Sequence, residues 1–414
     1  MYFIVIINDY FFIPIKTIFL FKPNIIALIN YFTFPIANQK TIRYIKNNIT
    51  KIYRLYDEFL WNARKMKKST TLLHKLLLLS IFLSFITEAK QVTDQLNRQV
   101  TIPDKIERAV VLQHQTLNLV VQLNRQDTIV GVLSSWQKLL GKNYIRLAPN
   151  LANMPMPGDL TSVNIESLIA LKPQVVFVAN YAPKEVIEQI EKLNIPVIAI
   201  SLRKDVASQA DKINPVMIDE ETTYNEGLKE GILLIGEVLN AQTEAKNLID
   251  YTFQQRQLVT SRLEHINSEQ RIRVYMANPD LTTYGSGKYT GLMMQKAGAI
   301  NVAATTIKGF KQVSIENIMQ WNPQVIFVQD RYPEVVDQIL TDPLWEHIDA
   351  VKHKRIYLMP EYAKAWGYPM PEALAIGELW MAKKLYPQLF KDINMQQQAD
   401  DYYQRFYRTN YQEL

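Results

Sequence analysis

Apolar and polar positions along this chain fall into two kinds of block. Short runs unbroken by polar residues, Ala109–Leu112, Ile129–Val132, Val175–Val178, Val197–Ile200 and Val325–Val328, read as strands covered on both faces. That is how strands of a parallel sheet look, because helices pack on each side of it. Arg271–Met276 and Arg355–Leu358 read as further strands. Between the runs, apolar residues recur at three- and four-residue spacing, which predicts helices near Thr116–Leu123, over Pro183–Leu193 and over Gly291–Ala297.

The pattern repeats. Val163–Asn180 reads VNIESLIALKPQVVFVAN and Val313–Asp330 reads VSIENIMQWNPQVIFVQD, with eight of 18 positions identical at a constant offset of 150. In each copy a polar residue, Ser162 or Gln312, lies just before a short amphipathic helix. Pro173 or Pro323 then breaks the helix, and an apolar strand follows. Two α/β lobes of similar design follow from this repeat. Between them, Thr243 can cap a long helix with Ala245, Leu248, Ile249, Thr252, Val259, Leu263 and Ile266 on one face. About 24 residues rising 1.5 Å each span about 36 Å, enough for a rigid bridge. The expected division is residues 90–240, a connecting helix at 241–267, and residues 268–414.

The beginning of the chain differs. Ile, Phe, Asn, Tyr and Lys make up 41 of the first 65 residues, with no helical or strand period, and Asp9, Lys16 and Lys22 interrupt the apolar stretches. Residues 1–65 are read as an over-extended reading frame, with a membrane-anchoring leader as the alternative. From Met66 the pattern is that of a secretory signal: Lys67, Lys68 and Lys75 precede the apolar run Leu76–Ile86, and Thr87 and Ala89 are small residues at the expected cleavage site. Residues 66–89 are therefore expected to be a signal peptide, with export to the periplasm.

That cut changes the electrostatics. The chain carries 46 basic and 40 acidic residues, but residues 1–89 hold 12 and 4 of them, leaving 34 and 36. The basic excess belongs to the leader, so nucleic-acid binding loses its electrostatic basis. With no cysteine, disulfides, thiolate metal sites and a cysteine-linked lipid anchor are excluded.

Ligands of open α/β sheets bind beyond the carboxyl ends of the strands. Those ends supply His114, Trp136, Tyr181, Tyr284, Ser286, Lys288, Arg331, Tyr332, Lys364 and Trp366 as candidate ligand-binding residues. The set is rich in aromatic and cationic donors, with Asp330 the only nearby acid, which favours an anion or an anionic metal chelate. Packing competes with this role for Trp136 and Trp366, and a backbone hydrogen bond competes for His114.

Enzyme signatures are weak. The Gly285–Gly291 stretch, GSGKYTG, begins too far past its strand for a dinucleotide loop. Lys288 is followed by Tyr289, so the phosphate-loop pattern fails as well. There is no G-x-S-x-G, and the five histidines form no HExxH or close pair. No catalytic residue, resident metal or cofactor is expected. A two-lobed metalloenzyme related to nitrogenase components or chelatases remains as the competing class, although its usual cysteine ligands are missing.

The opening VTDQLNRQVTIPDKIERAVVL, the paired E-x5-P-Q-V blocks, GLMMQKAGAINVA and the terminal LWEHIDAVKHKRIYLMP and WMAKKLYPQLF resemble the class III periplasmic substrate-binding proteins of ABC importers. These serve iron-siderophore, haem and cobalamin uptake, and one branch includes molybdate and tungstate binders. The resemblance covers essentially the whole chain after the leader. It implies two Rossmann-like lobes joined by one long α-helix, a ligand cleft between the lobes, and a monomer that delivers its cargo to a permease dimer. It also implies that Glu166 and Glu316, the Glu of each repeat, pair with arginines of that permease. The cargo stays open between a ferric siderophore and molybdate or tungstate, with corrinoid, haem and nickel chelates as alternatives.

Overall fold

A computed structural model describes residues 4–6, 12–14, 54, 57–58, 61 and 89–412. Nearly all of the expected leader, 1–65 with the signal segment 66–89, lies outside the described residues. Within the first unit, Met1–Ile86, Ile4–Ile6 pairs antiparallel with Phe12–Pro14. The absence of a strand period did not anticipate this pairing. Each strand is three residues long, too short for a period to register.

The second unit, Thr87–Leu414, opens with an antiparallel hairpin, Ala89–Thr93 against Gln99–Pro103. Two four-stranded parallel sheets follow. The first runs Val197–Ile200, Val175–Ala179, Ala109–Val111, Ile129–Val132, and every residue of its three strands at 109–111, 175–179 and 197–200 is buried. The second runs Ala299–Asn301, Ile272–Ala277, Val325–Val328, Ile356–Leu358. Numbered by chain position, both sheets have the order 2-1-3-4, so the sequence repeat is a repeat of topology. The first strand is the switch point in each lobe, with a neighbour on both sides and a crevice at its carboxyl end.

The repeat extends to the short helices. Asn164 caps Ile165–Ala170 through the Ser167 amide, and Ser314 caps Ile315–Trp321 through the Asn317 amide. The polar residues Ser162 and Gln312 lie just upstream, and the caps belong to these residues two positions on.

The connection between the lobes is two helices instead of one. Glu220–Val238 starts beside the second lobe, where Tyr224 donates to the Gly287 carbonyl at 3.2 Å and Glu220 accepts from the Gly287 amide at 2.7 Å. It ends beside the first lobe, where the Glu237 carbonyl accepts from Lys90 at 2.6 Å. Gln242–Leu263 then returns, anchored by the buried bidentate pair of Arg256 with Glu378 at 2.8 Å. Glycine at 227 is obligatory: a Cβ there would lie 1.9 Å from the Arg203 Cα, because the helix crosses that backbone in contact. The first helix escaped the sequence reading because its buried stripe is interrupted by glycines at 227, 231 and 236.

The C-terminal helix Met395–Phe406 also touches both lobes. Tyr402 donates to Gln122 of the first lobe at 2.5 Å, and Tyr403 donates to Glu361 of the second at 3.0 Å. Among the described residues no helix is long and apolar enough to cross a membrane.

Candidate functional site

Side chains from the strand ends of both lobes meet in one buried cluster. The strand Ala109–Val111 feeds straight into the helix His114–Gln122, so His114 is the first residue of that helix and not a loop residue. All nine residues of the helix are buried, including five polar ones. His114, Asn118 and Gln122 are spaced by four, which aligns them along one face, and that face meets the second lobe. The His114 ring lies 5.5 Å from the Trp366 ring. Asn118 and Gln122 donate to the Glu372 carboxylate at 2.7 and 3.0 Å.

The second lobe surrounds the same indole with cations. Lys364 Nζ lies 4.7 Å from the Trp366 ring centroid and the Arg331 guanidinium carbon 5.8 Å from it. Lys364 adopts a left-handed backbone conformation, φ 41°, which costs energy for a residue with a side chain and aims that side chain inward. It is 1% exposed. Its partner Glu372 is 3.6 Å away, an ion pair too long for a hydrogen bond.

Three buried polar atoms of this cluster have no hydrogen-bond partner among the described residues: His114 Nδ1, Lys364 Nζ and Trp366 Nε1. Buried polar groups without a partner cost free energy, and each calls for a cause such as strain, a bound water or a ligand. Burial, reinforced by the charges of Arg331 and Lys364, depresses the His114 imidazole to a pKa of about 3. It therefore stays neutral near neutrality and offers one N–H. Burial pushes Asp330 up to about 6 against the opposing pull of Lys364 and Arg331.

A second group of cations stands beside this one. Arg203, 2% exposed, lies 5.8 Å from the Tyr368 ring and donates to its hydroxyl at 3.2 Å. Lys288 lies 5.6 Å from the same ring. Both are largely spent on the chain crossing between the lobes: Arg203 on Asp205 and the Lys212 carbonyl, Lys288 on the Ile213 carbonyl at 2.7 Å. Burial and the Arg203 charge lower the Lys288 pKa to about 8.

The remaining candidates are dispersed. Tyr332 packs under Arg331, 5.2 Å from its guanidinium carbon. Burial raises the Tyr284 hydroxyl pKa, with Arg331 pulling it down. Burial, reinforced by Tyr368 and Asp159, raises the Tyr181 hydroxyl pKa. Ser286 is tied to the Ile307 carbonyl at 3.4 Å. Trp136, 2% exposed, belongs to the apolar core, and no ring or cation contact links it to Trp366 among the described residues. The expectation of a cleft nearly free of carboxylates is overturned. Asp159, Glu361 and Glu372 act on the cluster together with Asp330, brought in from a hairpin and from the chain after the last strand. Sequence reasoning also missed Arg203 and Tyr368. Arg203 follows the strand Val197–Ile200, so the strand-end rule applied to every strand would have found it.

Glu166 and Glu316 occupy equivalent exposed positions in the first turns of the two repeat helices. A hydrogen bond with Ser314 lowers the Glu316 pKa, so this carboxylate is charged at neutral pH. A cavity of about 280 Å³ lies elsewhere in the second lobe, bounded by Tyr275, Asn278, Gln338, Asp342 and Trp345, with no cation in its lining.

The fold recurs in known proteins. The chain is 61% identical over 344 residues to the molybdate-binding protein MolA of Haemophilus influenzae, covering 83% of this chain and 98% of that one. The solved structure of MolA bound to molybdate, the cognate binding protein of an ABC transporter, superposes with a TM-score of 0.77 at 62% identity, over 78% of this chain and all of that one. A periplasmic solute-binding protein from Veillonella parvula, 25% identical, superposes with a TM-score of 0.64 over 78% of this chain and 94% of that one. The periplasmic binding protein profile matches residues 110–363. With these matches and the duplicated 2-1-3-4 sheets, this chain belongs to the periplasmic binding protein family.

Proposed function

We propose that this protein captures a small tetrahedral metal oxyanion, molybdate or tungstate, and delivers it to an ABC importer without chemical turnover. The observation that carries this reading is the set of three unpaired buried atoms, His114 Nδ1, Lys364 Nζ and Trp366 Nε1, with Arg331 beside them. They come from both lobes, with His114, Lys364 and Arg331 grouped around the Trp366 indole. A four-oxygen anion would satisfy them together, through charge-assisted hydrogen bonds from Lys364 and Arg331 and neutral ones from the imidazole and indole. The close approach of these side chains suits a compact anion, whereas a chelate needs an open cleft of hundreds of cubic ångströms. The similarity to a molybdate binder supports the same choice.

Glu166 and Glu316 are assigned to docking. They sit solvent-exposed on matching helices of two matching lobes, which fits a partner with two equivalent halves. Titration calorimetry with molybdate, tungstate, sulfate and a ferric-siderophore panel tests the ligand assignment. One-to-one binding of molybdate or tungstate is expected, with no change in the bound species. Binding of a ferric chelate alone would overturn the oxyanion reading.

A further inference from the structure

The two repeat helices share more than a glutamate. Over residues 161–170 and 311–320 the pattern of exposed and buried positions agrees at nine of ten places. Within Val163–Asn180 the only large apolar side chain standing in solvent is Ile169, 48% exposed, and within Val313–Asp330 it is Met319, 42% exposed. They occupy the same position of the repeat, 150 residues apart, each three residues after the glutamate. Residues three apart on a helix are neighbours on its surface, so each lobe presents a carboxylate and an apolar side chain side by side.

A second apolar group borders each helix start. Met156, 55% exposed, precedes Pro157, whose carbonyl accepts from the Asn164 amide at 2.7 Å at the first helix's cap. Phe310, 44% exposed, opens the strand Phe310–Gln312 that leads into the second helix. Isolated exposed apolar residues are ordinary on protein surfaces. The same residue class at the same repeat position in both copies, next to the same acid, is what needs a cause.

We propose that Ile169 and Met319 are the anchoring residues of the two docking faces, each seating in an apolar hollow beside a cation on one subunit of the importer's permease dimer. This rests on the docking role assigned above to Glu166 and Glu316. The physical case is that an exposed carboxylate–guanidinium pair is worth little in water, since solvent and salt screen it. An apolar neighbour that closes over the pair excludes water and converts a weak contact into a binding hot spot. The partner is a two-fold symmetric membrane protein, because the two faces are copies of one another and a partner with one binding surface would engage only one of them.

The test uses the full-length exported protein and its permease–ATPase complex in nanodiscs, with molybdate as the cargo probe. Ile169→Asp and Met319→Asp should each weaken docking at least about tenfold, and together abolish molybdate uptake. Calorimetric affinity for molybdate should stay at the wild-type value. Ile169→Leu and Met319→Leu should dock normally. Leu340→Asp, at an equally exposed apolar site outside the repeat, should also leave docking unchanged. Normal docking of the two aspartate variants, with docking lost in Glu166→Lys and Glu316→Lys, would overturn the anchoring role and leave the glutamate reading intact. Normal docking of the lysine variants as well would overturn both. If light scattering showed instead that the aspartate variants dissociate a homodimer of this chain, the faces would be self-association surfaces and the permease assignment would fall.

Discussion

Replacing Glu372 by glutamine should loosen the protein and tighten its hold on an anion. The Glu372 carboxylate is fully buried, and its Oε1 accepts from Asn118 Nδ2 at 2.7 Å and from the Tyr407 hydroxyl at 2.8 Å. Its Oε2 accepts from Gln122 Nε2 at 3.0 Å, and Lys364 Nζ is 3.6 Å away. First lobe, second lobe and C-terminal segment thus converge on one charge. A glutamine keeps the shape but turns one acceptor into a donor facing other donors, and it strips Lys364 of its counter-charge. Breaking a buried charge cluster on one side costs about 3–5 kcal/mol. For an ordered chain of roughly 320 residues, each kcal/mol lowers the melting temperature by about 1.5 °C, so a fall of about 5–8 °C is expected.

The second consequence has the opposite sign. With its counter-charge gone, Lys364 presents its full field to an incoming anion, and molybdate should bind about tenfold more tightly, or 1.4 kcal/mol. Differential scanning calorimetry with and without saturating molybdate separates the two effects. The variant should melt lower when empty and gain more from the ligand than wild type does. A melting temperature within about 1 °C of wild type would refute the argument. So would weaker molybdate binding by a variant whose circular dichroism is unchanged, because Glu372 would then hold Lys364 in place rather than merely neutralise it.

Other expectations follow from the same cluster. Trp366→Phe keeps the ring against His114 and Lys364 but removes the unpaired N–H, and calorimetry should show a loss of about 1 kcal/mol, roughly fivefold. Arg331→Ala should weaken molybdate binding about ten- to hundredfold, and Arg331→Lys should recover only part, since a point charge lacks the planar fork. Asp330, held at about 6 chiefly by burial, is charged above that pH and repels a dianion shared by Arg331 and Lys364. Affinity should therefore rise as pH falls from the higher bound-state value towards 6 and level off below it, gaining about tenfold in all for each unit that the bound anion raises the Asp330 pKa. Asp330→Asn should flatten that profile, and an unchanged slope in the variant would rule Asp330 out as the titrating group.

Much of the fold was legible in the sequence because parallel strands have no wet face. Val175–Val178, Val197–Ile200 and Val325–Val328 must be apolar throughout, so their limits in the sequence nearly coincide with those in the structure. The repeat at an offset of 150 likewise carried the second lobe's design. Elements with mixed surfaces were hidden. The helix Glu220–Val238 buries glycines where other helices bury leucines, because it crosses the Arg203 backbone in contact, and no periodic signal reports a close approach. The C-terminal helix buries Tyr402 and Tyr403 with their hydroxyls paired, which reads as polar along the chain.

The site was legible only in outline, and two lysines show why. Lys288 and Lys364 both follow a strand of the second lobe, and nothing local to either distinguishes them. Lys288 ends on the Ile213 carbonyl, 75 positions away, and shares the Tyr368 ring with Arg203. Lys364 ends beside a buried carboxylate too distant to accept its hydrogen bond, facing an unpaired imidazole and an unpaired indole. The fold gives the first cation a hydrogen-bond partner and leaves the second without one among the described residues. Counting positive charges at strand ends therefore overestimates the anion site, and counting acids nearby underestimates its balance, since Glu372 arrives from eight residues further on. What defines the site is the remainder after every internal partner has been assigned: the donors that folding buried and did not satisfy. That remainder depends on long-range pairing, so it has to be read from the structure even when each contributing residue was already in view.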